Sequence, residues 1–203
     1  VTRMTKPEKN MKKIATLLLI GLLSVTNVMP VMAKTATTDL DFVQIIGDVS
    51  DINYNRAITN YCKIPENVRE SFQINGWTLS ITTENLEDTW FAGMGYTAIA
   101  SGYDSILKEI RLENTKNGSN AVIHEMGHYV DGQLGYISNT DEWKQIWTSE
   151  YTTRYGSTSP LEGFAESFEQ TILHGVSYAK THPLSYAFCT NACNQIQGLP
   201  DEQ

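Results

Sequence analysis

Apolar residues spaced three and four positions apart dominate the second half of the chain. This spacing predicts four helices, over residues 120–134, 140–151, 160–173 and 183–196. The first of these helices has an apolar stripe that we expect to face the core, formed by Ile123, Met126, Val130 and Leu134. We expect Ser119 or Asn120 to cap this helix and Gly135 to end it.

The first half of the chain alternates instead between apolar and polar positions. Polar residues separate Trp77, Leu79 and Ile81, which predicts a half-buried strand over 77–82. The same half is expected to hold one helix and two further strands, at 65–73, 96–100 and 106–112. Strands that precede helices indicate an α+β domain, with a small sheet beside a helical half that carries the helix 120–134.

The N-terminus has the order of a secretory signal peptide. Two lysines precede an apolar run over 14–25, Pro30 follows, and small residues come just before position 34. The alternative, a membrane anchor, needs about 18–20 apolar residues, and this run is shorter. We therefore expect residues 1–33 to be a signal peptide, with synthesis starting at Met4 or Met11, and residues 34–203 to be one secreted catalytic domain without a stable membrane anchor.

The charge of the chain excludes some classes of partner. The formal net charge is −8, and residues 1–33 carry five basic residues and one acidic residue, so their removal leaves about −12. A surface this acidic repels phosphate backbones and anionic lipids. We therefore expect no nucleic-acid partner.

The chain contains three cysteines, Cys62, Cys189 and Cys193. One disulfide would leave an odd thiol, and the sequence does not select a pair. A zinc site made of cysteines alone needs four of them, so buried apolar positions are the favoured role.

The helix predicted over 120–134 contains the sequence His124-Glu125-Met126-Gly127-His128, an H-E-x-x-H motif. One turn separates the two histidines, so both imidazoles can bind a single Zn²⁺. The glutamate of such a motif is the general base that takes a proton from the attacking water. The motif predicts a zinc metallopeptidase with His124 and His128 as metal ligands and Glu125 as a catalytic residue. The alternative is that both histidines are ordinary surface or core residues.

Two other residues of this helix indicate which groups lie close to it. Asp131 lies on the face of the histidines, where it can accept the second ring N–H of either one or remain a solvated surface charge. Gly127 costs roughly 1 kcal/mol in a helix interior, so we expect a close neighbour against it.

A catalytic zinc needs a third protein ligand, for which Glu162, His174 and His182 are the candidates. Glu162 is favoured because it opens a helix that begins at Pro160. The alternative role for Glu162 is structural, because Ser159 and Glu162 also have the spacing of a capping box.

The run from Tyr155 to Phe168, after the H-E-x-x-H motif, resembles the anthrax lethal factor and clostridial Pro-Pro endopeptidase family. In that family a tyrosine lies seven residues before the zinc-binding glutamate, which opens an E-x-F-A-E-x-F helix. The specified positions are matched here by Glu162, Phe164, Ala165, Glu166 and Phe168. The resemblance implies a zincin-like domain, with Glu162 as third ligand, Tyr155 as the transition-state residue and Glu166 as a carboxylate behind the ligands.

The sequence thus predicts a zinc endopeptidase with a protein or peptide substrate, and the resemblance adds proline-containing cleavage sites. We expect the substrate to pair with an exposed strand edge near the glycine-rich stretch 93–102, with Trp90 and Phe91 lining a pocket. Two alternatives remain open: a translocated, lethal-factor-like toxin protease, and a catalytically inactive protein-binding module on the same scaffold.

Overall fold

The computed structural model describes residues 40–95, 97–150 and 152–198. The chain divides into one unit of residues 1–38 and another of residues 39–203, and all described residues belong to the second. The predicted signal peptide, 1–33, lies outside the described residues. Among the residues that are described, no helix is both long and apolar enough to cross a membrane.

The sheet has four strands: β1 (Val43–Ile46), β2 (Thr78–Thr82), β3 (Ser101–Asp104) and β4 (Glu109–Glu113). Their order is β1-β2-β4-β3; β2 pairs in parallel with both β1 and β4, whereas β3 pairs antiparallel with β4. The strand β3 therefore forms one edge of the sheet, and its outer backbone groups can pair with another extended chain.

Eight α-helices complete the described part of the chain: α1 (Asp51–Tyr61), α2 (Glu66–Ile74), α3 (Lys116–Asn120), α4 (Val122–Gln133), α5 (Asp141–Glu150), α6 (Pro160–His174), α7 (Val176–Ala179) and α8 (Pro183–Gln195). The helix α4 lies between the sheet and α6, and it contacts both. A single apolar core joins the inner face of the sheet to these helices. The architecture confirms the α+β class, with a small sheet beside a helical half.

The helix that carries the H-E-x-x-H motif begins differently from the prediction. Thr115 caps α3 by accepting the backbone N–H of Gly118, and Ala121 then separates α3 from α4. Neither Ser119 nor Asn120 caps α4. The apolar stripe is as predicted, since its first three residues are fully buried and Leu134 packs against the core.

Two predicted strands lie in the wrong place. Described residues between 97 and 100 form no strand, because Ala98 adopts the left-handed conformation (φ 59°) and interrupts the extended chain. The strand predicted over 106–112 begins only at Glu109. Asp104 accepts the backbone N–H groups of Ile106 and Leu107, which closes a turn between β3 and β4.

Four of the strands and α-helices have no counterpart in the prediction: β1, α1, α3 and α7. The strand β1 is short and half-exposed, so its apolar pattern is weak. The helix α1 is mostly polar and buries only Ala57, Asn60 and Tyr61. All three cysteines are unpaired, with Cys62 exposed and Cys189 and Cys193 buried in the core.

Candidate functional site

Helix α4 presents His124 and His128 on one side, one turn apart. Both residues are buried, and their rings meet edge to face with centroids 4.9 Å apart. Gly127, between them, faces α6: a Cβ at this position would lie 2.8 Å from the Cα of Ala165. This is the close neighbour expected from a glycine inside a helix, and it lets α6 approach the two histidines.

Helix α6 brings Glu162 to the same point. Ser159 caps α6 by accepting the backbone N–H of Glu162, while the Glu162 carboxylate turns towards α4. Its Oε2 atom lies 3.2 Å from Nε2 of His124 and 3.5 Å from Nε2 of His128. One ligand atom from each of these three residues therefore falls within 4.8 Å of the other two.

The chemistry of this group fits a zinc ion. Two imidazole nitrogens and one carboxylate oxygen form a set that catalytic zinc uses, with a further position left for water or substrate. His128 directs Nε2 towards the group, while its Nδ1 is buried without a hydrogen-bond partner among the described residues. His182 is engaged elsewhere, hydrogen-bonded to Thr181 and stacked on Tyr178.

Without a metal, His124 and the two carboxylates beside it, Glu162 and Glu166, form a charged network. Burial lowers the pKa of His124, but its hydrogen bonds to Glu162 and Glu166 outweigh burial and raise that pKa from 6.5 to about 10. Burial raises the pKa of Glu162, but the two histidines hold it well below its usual range. At neutral pH His124 is therefore a cation between two carboxylates, and a divalent metal can replace that positive charge.

Glu166 lies behind the three candidate ligands. Its Oε1 is 3.1 Å from Nδ1 of His124, and its Oε2 accepts a 2.6 Å hydrogen bond from Thr153. Glu166 thus lies on the far side of His124 from Glu162. A carboxylate in this position holds the proton of a neutral His124 on Nδ1. The Nε2 atom is then left without a proton and can bind a metal.

Asp131 has different partners from those predicted. It is fully buried, and its two oxygens accept the backbone N–H and the hydroxyl of Ser138, each at 2.7 Å. The structure therefore corrects the predicted contact between Asp131 and either histidine. Asp131 instead anchors the turn after α4, because both of its oxygens accept hydrogen bonds from Ser138. It is not a solvated charge either.

Glu125 lies beside the candidate ligands, 5% exposed. Its Oε1 accepts a 2.6 Å hydrogen bond from the hydroxyl of Ser101, the first residue of β3. This hydrogen bond fixes one carboxylate oxygen of Glu125, and the other makes no hydrogen bond with any described residue. Ser101 was not predicted, because no local pattern connects it to a glutamate 24 positions later.

An open cleft of about 240 Å³ exposes these groups. It is lined by residues of β3 and by His124, Glu125, His128 and Glu162. Four further large side chains line it: Phe91, Tyr136, Tyr155 and Leu161. The sequence had indicated Phe91 but not Tyr136. Trp90 is not among the lining residues; it lies edge to face with Phe91, under the guanidinium of Arg111.

Tyr155 stands at the mouth of the cleft, 55% exposed, with its ring centroid 5.8 Å from that of His124. Burial and then the negative charge of Glu162 raise the pKa of its phenol well above the usual value. The hydroxyl therefore keeps its proton at neutral pH and can donate a hydrogen bond.

Comparisons with known proteins bear on the fold alone. The sequence matches no protein-family model and no curated protein. The structure is similar to that of the Pro-Pro endopeptidase PPEP-2 from Paenibacillus alvei, with a TM-score of 0.61 at 19% sequence identity, over 74% of this chain and 97% of that one. The chain therefore has the α+β, zincin-like fold of a Pro-Pro endopeptidase.

Proposed function

We propose that this protein is a zinc-dependent endopeptidase. The observation that carries the proposal is the convergence of His124 and His128 with Glu162, which lies on a different helix. Two histidines and a glutamate can also come together as a structural ion pair that binds no metal. Glu125 at its side and an open cleft with a free strand edge in front of it favour catalysis.

His124, His128 and Glu162 would hold the zinc. When bound, it supplies Lewis-acid chemistry, which polarises a peptide carbonyl and makes water acidic enough to react near pH 7. The Oε2 atom of Glu125 takes the proton of the attacking water, while Ser101 holds Oε1 in place. The same carboxylate then gives this proton to the nitrogen of the leaving amine.

Tyr155 and β3 complete the proposed site. The phenol of Tyr155 donates a hydrogen bond to the oxygen of the peptide carbonyl as negative charge develops there. The outer edge of β3 binds the substrate backbone as an added strand, which orients the scissile bond.

The remaining parts of the proposal concern secretion and specificity. Residues 1–33 act as a signal peptide, and residues 34–203 form the secreted peptidase. Cleavage at proline-containing sites is supported by the resemblance and by the fold of the Pro-Pro endopeptidase. Mass spectrometry of protein from the culture medium tests the first point, since we expect a new N-terminus near Lys34.

A peptide-library digest read by mass spectrometry tests the activity, with Glu125→Gln as the blank. We expect about one zinc per chain in both proteins and cleavage by the unmodified chain alone. Proline enriched around the cleaved bonds would support the specificity. Zinc without cleavage would instead favour a protein-binding module, and cleavage by the Glu125→Gln variant would remove Glu125 from the mechanism.

A further inference from the structure

A second cavity, which we call the side cavity, opens beside the active-site cleft. It has a volume of about 400 Å³. Five residues line both the cleft and the side cavity: Ile99, Ser101, His124, Glu125 and Tyr155. A peptide lying in the cleft can therefore place a side chain in the side cavity.

The position of Glu125 determines which part of a substrate reaches this cavity. Glu125 must protonate the leaving amine, so the residue that follows the scissile bond has to lie on the Glu125 side of the metal ligands. The strand β3 runs from Ser101, bonded to Glu125, to Tyr103, whose ring is near His128. A substrate antiparallel to β3 runs the other way, so its C-terminal part passes Ser101 and the side cavity.

The side cavity has three carboxylates and one positive group: Glu125, Glu166 and Glu169 line it together with His124, whose charge Glu162 and Glu166 already pair. Glu166 is occupied by His124 and Thr153. The carboxylate of Glu169 lies within 4.8 Å of ligand atoms of His124 and Glu166, but it makes no hydrogen bond or ion pair with any described residue. No lysine or arginine is among the described residues that line the cavity. A half-buried carboxylate without a partner is unfavourable, and a cation from a ligand removes that penalty.

We propose that the side cavity binds a lysine or arginine side chain of the substrate, within three residues C-terminal to the cleaved bond, and that Glu169 selects it. The cavity volume of about 400 Å³ accommodates such a side chain, and Glu169 meets the cationic end. The proposal rests on the peptidase function proposed above. It adds a substrate class, since a neutral side chain of the same length leaves Glu169 unpaired.

Two pools of ten-residue peptides test this proposal. Each pool has random neutral residues around one fixed central position, which is lysine in the first pool and norleucine in the second. We expect the unmodified protein to cut the lysine pool about 10-fold faster, with cuts within three bonds on the N-terminal side of the lysine; one charge-assisted hydrogen bond has this size. Glu169→Gln should remove the preference, whereas Glu142→Gln, an exposed control with the same charge change, should retain it.

Binding of the same pools to the Glu125→Gln variant separates this proposal from the proposed function. A lysine preference in binding that Glu169→Gln abolishes, without any cleavage by the unmodified protein, supports the side cavity and contradicts the peptidase. Equal cleavage of both pools, or a lysine preference that survives in Glu169→Gln, overturns the role of Glu169. A second zinc per chain that disappears in Glu169→Gln also overturns it, because the carboxylate would then bind metal.

Discussion

His124 connects the candidate metal ligands to the carboxylate behind them, since one ring nitrogen faces Glu162 and the other faces Glu166. The sequence could predict that His124 and His128 share one side of a helix, because residues four apart do so. The role of Glu166 was implied by the resemblance, which also strengthened the choice of Glu162. The partners of Asp131 and Ser101 could not be predicted in the same way. They depend on how a turn and a strand edge pack against α4, which no local spacing encodes.

The raised pKa of His124 predicts proton release on metal binding. In metal-free protein His124 stays protonated up to about pH 10, but zinc binds only neutral imidazole. Zinc binding at pH 8 should therefore release about one proton, and zinc affinity should rise with pH between about 7 and 9. Calorimetry in two buffers of different ionisation enthalpy measures the number of protons. Glu166→Gln should reduce the number of protons released. A value of zero in the unmodified protein would contradict a protonated His124.

Tyr155→Phe tests the hydroxyl at the mouth of the cleft. The ring remains and only the hydrogen-bond donor is lost, so zinc content and melting temperature should stay near those of the unmodified protein. We expect kcat to fall roughly 10²- to 10³-fold, the cost of one oxyanion donor. Steady-state kinetics measures the change. A variant that keeps more than about a third of the rate would give Tyr155 a structural role.

Ser101→Ala tests whether Ser101 positions Glu125. Without the hydroxyl, the Glu125 carboxylate can rotate, and we expect kcat to fall roughly 10-fold while KM and zinc content change little. Ser101→Thr keeps the hydroxyl and should restore most of the rate. An increase in KM at constant kcat would show instead that Ser101 only contacts the substrate.

The contact between α4 and α6 determines whether the site forms. Both helices were predicted close to their observed bounds, because each buries a clear apolar stripe. The strands near the cleft were displaced in the prediction, because their positions depend on Ala98 and on the Asp104 turn. Backbone conformations of this kind are set by neighbouring groups, so alternation of apolar residues does not reveal them.

Gly127→Ala tests the close approach of these two helices. Helix propensity alone predicts that alanine stabilises α4 by roughly 1 kcal/mol. The Cβ would meet the backbone of Ala165, however, so we expect a net destabilisation of about 1–3 kcal/mol and weaker zinc binding. Chemical denaturation and zinc titration measure both effects. Gly132→Ala is the control within α4, since the nearest neighbours of its Cβ would be side-chain atoms of Tyr103 and Tyr136 and not backbone. A stabilised Gly127→Ala protein would contradict the packing.

The apolar core and the polar site are separate parts of the described chain. The core cluster joins the sheet to α4 and α6 through residues such as Ile110, Met126 and Phe168, none of which is a candidate ligand. The class of the fold could be predicted from this apolar pattern, but β1 and α1 could not, since both are short or largely polar. The core therefore holds the two helices together, and a metal bound at the site would add to that packing.

This separation predicts how the protein responds to loss of zinc. Chelation should leave it folded at 25 °C, because the core packs without the metal, but should lower its melting temperature by about 10 °C. A ligand present at 1,000 times its Kd stabilises the folded state by about 4 kcal/mol, and in a chain of this size each kcal/mol shifts Tm by about 2–4 °C. Calorimetric melting with and without chelator measures the difference.

Ligand variants identify the residues responsible for this shift. Glu162→Ala removes the proposed ligand on α6, so zinc should no longer raise its melting temperature, although the core is unchanged. His174→Ala and His182→Ala should keep the full shift, because neither histidine belongs to the group formed by His124, His128 and Glu162. If Glu162→Ala retained both the zinc and the shift, the third ligand would have to come from another residue. Helices α4 and α6 would then be joined by their apolar contacts and by the contact between His124 and Glu166.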